Sequence, residues 1–197
     1  MSTAPKATCR AERRPGLLSR FLRNRSGTTA IEFSVLAIPF AALTFAILES
    51  CISFAGQQVL SNATDEVARQ FRTGQLRKDD PLLTPEVVRD MICDRIEIMV
   101  TQGCPGLQID LRTYNSFADA AATSFRIVNK QIVLTKNGQL DQDSYKVDPG
   151  EAQSINMLRV FYAWPVITDF MRAAMSNLQG GKTLHFAATI WQNEPYE

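Results

Sequence analysis

A single acid in an apolar run, four cysteines, one histidine and a small set of acids are the residues in this chain whose chemistry can be weighed first. Glu32 opens a stretch of sixteen uncharged residues, Phe33 to Leu48, closed by Glu49. A carboxylate at the head of such a run costs about 2 to 3 kcal/mol at the centre of a bilayer and is usually paired there. It can also snorkel to the interface, or sit against the positive end of a helix. His185 is the only histidine, with no carboxylate or cysteine partner evident in sequence, so a multi-histidine metal centre is excluded and a histidine-based triad has little support. Cys93 and Cys104 stand eleven residues apart, while Cys9 lies in the N-terminal leader and Cys51 in the apolar segment, and no C-x-x-C occurs. The acids Asp141, Asp143, Asp148 and Glu151 do not fit a calcium loop, because Tyr145 occupies the place of a ligand and the required glycine is missing; they read as a solvated loop. Gly180-Gly181-Lys182-Thr183 ends like a phosphate-binding loop, but Ser176 replaces its first glycine and the order of helix and strand is reversed.

The elements that must position these groups begin with a basic leader. Residues 1–27 hold Lys6 and six arginines against Glu12 alone, which leaves the remainder of a chain of net charge +1 acidic. Basic residues beside a membrane span stay cytoplasmic, so the C-terminal region is expected outside. No aromatic residues interleave the arginines in the manner of a nucleic-acid arm. Arg13-Arg14 begins like a twin-arginine signal that Pro15-Gly16-Leu17-Leu18 does not continue. From Phe33 to Ala55 a helix would extend ~34 Å, enough for a hydrocarbon core of ~30 Å. Pro39 is expected to loosen or bend it. A competing reading places a secretory cleavage after Ser53-Phe54-Ala55, although Glu49 and Pro39 suit a signal peptide poorly.

Beyond the apolar run, Leu60, Ala63, Val67 and Phe71 recur at helical spacing, which predicts one long helix from about Thr29 to Thr73 with Gly74 as its C-cap. Two helices broken near Ser53 to Gly56 fit almost as well. Thr84-Pro85-Glu86 starts a second helix, whose Val88, Met91, Ile92, Ile96 and Met99 should face a sheet. Strands follow at Leu107 to Tyr114, Phe125 to Thr135 (interrupted, or a hairpin closed by Asn137-Gly138), Ile155 to Trp164 and Lys182 to Gln192, with a helix over Val166 to Leu178. Asn115 to Ser124 reads as a loop or one short helix. If this α+β domain is extracytoplasmic, a Cys93–Cys104 disulfide follows; in a reducing compartment the same residues would be two buried thiols. The domain plan is therefore 1–27 leader, 28–56 transmembrane helix, 57–74 amphipathic extension and 75–197 extracytoplasmic α+β domain.

The run Gly27-Thr28-Thr29-Ala30-Ile31-Glu32-Phe33, between the basic leader and the apolar helix, resembles the prepilin peptidase site of type IV pilins and pseudopilins. It is most similar to the TadE/TadG-like family of the Flp/Tad pilus assembly system. Arg159, Val160, Tyr162, Trp164 and Pro165, with the terminal Gln192 to Tyr196, are similar to the closing strands of those proteins. The resemblance implies a pilin-like fold and cleavage between Gly27 and Thr28. It also implies subunit contacts through Glu32 and Phe33, with Glu32 meeting the N-terminal amine of a neighbour. The implied setting is the inner membrane, single-pass, N-terminus cytoplasmic and C-terminal domain periplasmic. The implied partners are the prepilin peptidase, pilin-like subunits and Tad assembly proteins, and the role is structural, with no cofactor, metal, nucleic acid or small-molecule substrate expected. An unprocessed assembly factor of the same system and an envelope enzyme with scattered acids are the alternatives.

Overall fold

The computed structural model describes residues 27–141, 143 and 145–195, so the basic leader, its twin arginines, Cys9 and Tyr196 lie outside the described residues. The chain divides into two compact units, Met1–Phe45 and Ala46–Glu197.

One helix, α1 (Thr28–Arg72), contributes to both units and continues through Pro39 and through Ser53 to Gly56 without a break. In the first unit its apolar side chains, among them Ile31, Phe33, Leu36, Ile38 and Phe40, are exposed. Its hydroxyls bond to the carbonyl one turn back, Ser34 Oγ to Ala30 O at 2.7 Å and Thr44 Oγ1 to Phe40 O at 2.9 Å. That local pairing leaves no side-chain hydroxyl of these two residues in need of water. The helix is apolar and long enough to cross a membrane. It stops where expected: Gly74 adopts φ 73°, the left-handed conformation a glycine takes without strain, and its amide donates to Phe71 O at 3.1 Å.

The second unit is built on the amphipathic half of α1. Helix α2 (Pro85–Ile96) starts as the sequence predicts, with Thr84 Oγ1 accepting from the Val87 amide and Pro85 in the first turn. It buries Val88, Ile92, Cys93 and Ile96, whereas Met99 lies past its end and packs at the margin of the core. Strands β1 (Leu107–Tyr114), β5 (Ile155–Pro165) and β6 (Lys182–Gln192) form an antiparallel sheet in the order β1-β5-β6. Between β1 and β5 run α3 (Phe117–Ala121) and the strands β2 (Thr123–Val128), β3 (Gln131–Lys136) and β4 (Gln139–Leu140), which make a second antiparallel sheet. The fold is α+β, as read, but its strands form two sheets rather than one. Central β5 is buried along nearly its whole length. One face (Leu158, Val160, Tyr162, Trp164) meets α1 and α2. The other meets the second sheet, where Phe125, Phe161 and Phe186 cluster with centroids 4.6 to 5.3 Å apart. Burial on both faces is why INMLRVFYAW lacks polar alternation.

Three local expectations change. The β2–β3 hairpin turns at Asn129 and Lys130, both at positive φ, and Asn137-Gly138 instead turns β3 into β4. The stretch after Asp141 is not simply solvated: the Leu111 amide donates to Lys146 O at 2.7 Å, the Asp148 amide to Leu111 O at 2.8 Å, and Val147 packs on the core. The helix expected over Val166 to Leu178 is only α4 (Asp169–Met175), capped by Thr168, and Leu178 is buried beyond it.

Candidate functional site

The residues singled out at the N-terminal end occupy the first turns of α1. Gly27 directly precedes the helix and Thr28 is its first residue. Glu32 and Phe33 are both exposed, Phe33 at 72%. Among the described residues nothing covers this helix surface, which carries a carboxylate near its start.

The opposite end of the apolar run does something the sequence reading did not anticipate. Glu49, Ser53 and Gly56 are buried, and they are the members of that segment facing the domain. Glu49 Oε1 accepts from the Ile167 amide at 2.6 Å and from the Thr168 amide at 3.2 Å, and its Oε2 accepts from the Thr168 hydroxyl. One carboxylate thus holds the start of α4. At Gly56 the helix approaches Trp164 so closely that a Cβ would lie 2.5 Å from Cζ3 of that ring. Next, the Gln57 side chain pairs with β6 as a strand would: its Nε2 donates to Phe186 O at 2.8 Å, and the Phe186 amide donates to its Oε1 at 3.1 Å. Since β6 is an edge strand, this amide occupies backbone groups that an open edge would offer to another chain. Further along, the Thr189 hydroxyl donates to Asp65 Oδ1, and Phe71 stacks toward Trp191 with centroids 6.4 Å apart. The signal for this face was present as polar or small residues at positions 49, 53 and 56, spaced by four and three in an otherwise apolar run.

Among the described residues, Ser53 and His185 form an arrangement that resembles a nucleophile and base. Ser53 Oγ and His185 Nε2 are 3.0 Å apart, and the imidazole stacks on Trp164 at 4.8 Å. Among the described residues, however, His185 Nδ1 has no hydrogen-bond partner. None of the described carboxylates orients the ring as a triad requires. Both residues are buried, and the cavity beside His185 has a volume of about 10 Å³, room for about one water. Burial pushes the His185 pKa down to about 4, so the ring is neutral at physiological pH. The geometry suits a tether between α1 and β6, not attack on a substrate.

Cys93 and Cys104 are joined in a disulfide with Cα atoms 5.7 Å apart, and Cys51 is free and exposed. Glu97 lies close to both sulfurs, but their covalent bond leaves no thiolate to bind a metal there.

The opposite face of the sheet contains a charged network. Asp110 is fully buried: its Oδ2 accepts from Arg159 Nη2 at 2.7 Å and Nε at 3.1 Å, and its Oδ1 accepts from Arg112 Nε at 2.7 Å. Arg112 Nη1 also reaches Asp141 Oδ2 at 2.7 Å, and Arg159 Nη1 donates to Ser124 O at 3.2 Å. Burial alone would lower the Arg112 pKa, but the carboxylates of Asp110 and Asp141 raise it. Arg159 therefore ties the two sheets together.

A family model described as TadE-like protein matches residues 27–69, from the residue before α1 almost to its end. No curated protein and no solved structure matches the chain.

Proposed function

We propose that this chain is a membrane-anchored pseudopilin or assembly component of a Flp/Tad type IV pilus, acting structurally through packing of α1 against pilin-like helices. The observation that carries the proposal is that the matched residues coincide with a single 45-residue helix, exposed and apolar in its first half and docked on a domain in its second. A helix surface of that kind needs lipid or other helices around it. Glu32, near the start of the helix, would pair with the amine of a neighbouring subunit whose chain begins at Thr28. Such charge pairing satisfies a carboxylate in a membrane. On this reading the helix lies in the inner membrane and the domain in the periplasm, an oxidising compartment that suits the Cys93–Cys104 disulfide. Prepilin peptidase would cut between Gly27 and Thr28.

N-terminal sequencing of the protein, from the membrane and soluble fractions alike, with and without prepilin peptidase, tests this. A mature chain starting at Thr28 only when the peptidase is present supports the pseudopilin. A full-length N-terminus in both cases favours the unprocessed assembly factor, and a start at Gly56 a secreted domain. Replacing the carboxylate by Glu32→Ala should leave membrane insertion intact and block assembly; normal piliation in that variant would defeat the proposed pairing.

A further inference from the structure

The helix α4 poses a packing problem. Five of its seven residues, Phe170, Met171, Ala173, Ala174 and Met175, are apolar, yet none of its residues is buried. Phe170 is 69% exposed, and Ile167, just ahead of the cap, is 66% exposed. Met171 and Met175 are half-buried while Phe170, Ala173 and Ala174 are exposed, and the helix is held at its start by hydrogen bonds from Ile167 and Thr168 to Glu49. Glu49 is where the exposed apolar surface of α1 gives way to the face docked on the domain, and Ile47 and Leu48, immediately before it, are themselves exposed.

We propose that α4 lies on the outer surface of the phospholipid bilayer, with Ile167 and Phe170 inserted at the level of the headgroups and upper acyl chains. This rests on the reading of α1 as a membrane anchor. From Thr28 to Leu48, α1 rises about 31 Å at ~1.5 Å per residue, which matches a hydrocarbon core of ~30 Å and sets Glu49 at its outer boundary. The Glu49 tether then fixes the start of α4 at that same boundary. A short apolar face in the plane of the interface is a recognised mode of lipid contact. Arg172, exposed and paired with Asp169 at 2.7 Å, keeps a polar side on the same helix. The apolar residues of α4 thereby add to the exposed Ile47 and Leu48 beside Glu49, and the domain gains a second point of contact with the membrane.

The test uses the full chain in phosphatidylcholine vesicles containing a minority of phosphatidylglycerol, at about one copy per vesicle. A fluorophore is attached through Phe170→Cys or Ile167→Cys in a Cys9→Ser/Cys51→Ser background that retains the Cys93–Cys104 bridge. Two reference sites are labelled the same way: Phe40→Cys in the apolar half of α1, and Leu82→Cys, which is 76% exposed and follows the far end of that helix. Spin-labelled lipid carrying its label at the headgroup should quench the probes at 167 and 170 about twofold or more beyond that at 82, and lipid labelled deep in the acyl chain should quench the probe at 40 most. Quenching at 40 with 167 and 170 no different from 82 overturns the surface contact while leaving the anchor intact. No quenching at 40 overturns the anchor and the surface contact with it. Shielding of 170 that arises only at several copies per vesicle assigns the patch to a second subunit and overturns the lipid contact.

Discussion

Breaking the Cys93–Cys104 bridge is the perturbation whose magnitude follows most directly from the structure. The bridge joins residues eleven apart, clamping the end of α2 to the loop that leads into β1, and both cysteines are buried. In the chain-entropy account, closing a loop of that length removes about 9 cal/mol/K from the unfolded ensemble, or about 2.8 kcal/mol at 25 °C. A domain of this size loses roughly 2 to 4 °C in Tm per kcal/mol, so reduction should lower the midpoint by roughly 6 to 11 °C. The measurement is thermal melting of the full chain in mild detergent, followed by the near-ultraviolet circular dichroism of the buried Trp164 and Trp191, with and without reductant. The double variant Cys93→Ala/Cys104→Ala should melt at or below the reduced protein, since it also removes buried sulfur, and should be indifferent to reductant. A reduced protein melting within about 2 °C of the oxidised one would refute the reasoning, as would a variant that still responds to reductant.

Three further outcomes follow. Asp110→Asn leaves Arg159, 2% exposed, without its counter-charge and should cost about 3 to 5 kcal/mol, read as a lowered melting midpoint; a loss under about 1 kcal/mol would show that the pair is not desolvated as the structure has it. Gly56→Ala forces a methyl against Trp164 and should destabilise by about 1 to 3 kcal/mol, with part of the loss recovered by adding Trp164→Leu; an unchanged midpoint would contradict the close approach. For His185, the folded-state pKa lies near 4, below the ordinary 6.5, so between those values the unfolded chain binds the proton and the folded one does not. Stability should therefore fall as pH drops from about 6.5 to about 4, and His185→Gln should flatten that part of the profile; superimposable profiles would exclude the histidine as the cause.

Much of this protein was determined locally, and therefore by sequence. The extent of α1, its stop at Gly74, the cap at Thr84 and the limits of β6 depend on neighbours within a turn or two of the chain, where propensity, capping and periodicity act. The motif at Gly27 to Phe33 was legible for the same reason. What the tertiary structure alone decided involves partners far apart in the chain. Asp110 and Arg159 face each other because β1 and β5 pair in one register, and nothing near either residue in sequence signals it. Asp141 read as a solvated acid because its arginine, Arg112, lies 29 residues earlier in β1. Glu49 read only as the charge that closes the apolar run, and Ser53 as part of a candidate cleavage site, because their partners, Thr168 and His185, lie more than a hundred residues away. A polar group inside an apolar run is costly until a partner satisfies it, so sequence can mark the cost, and only the folded chain can supply the partner.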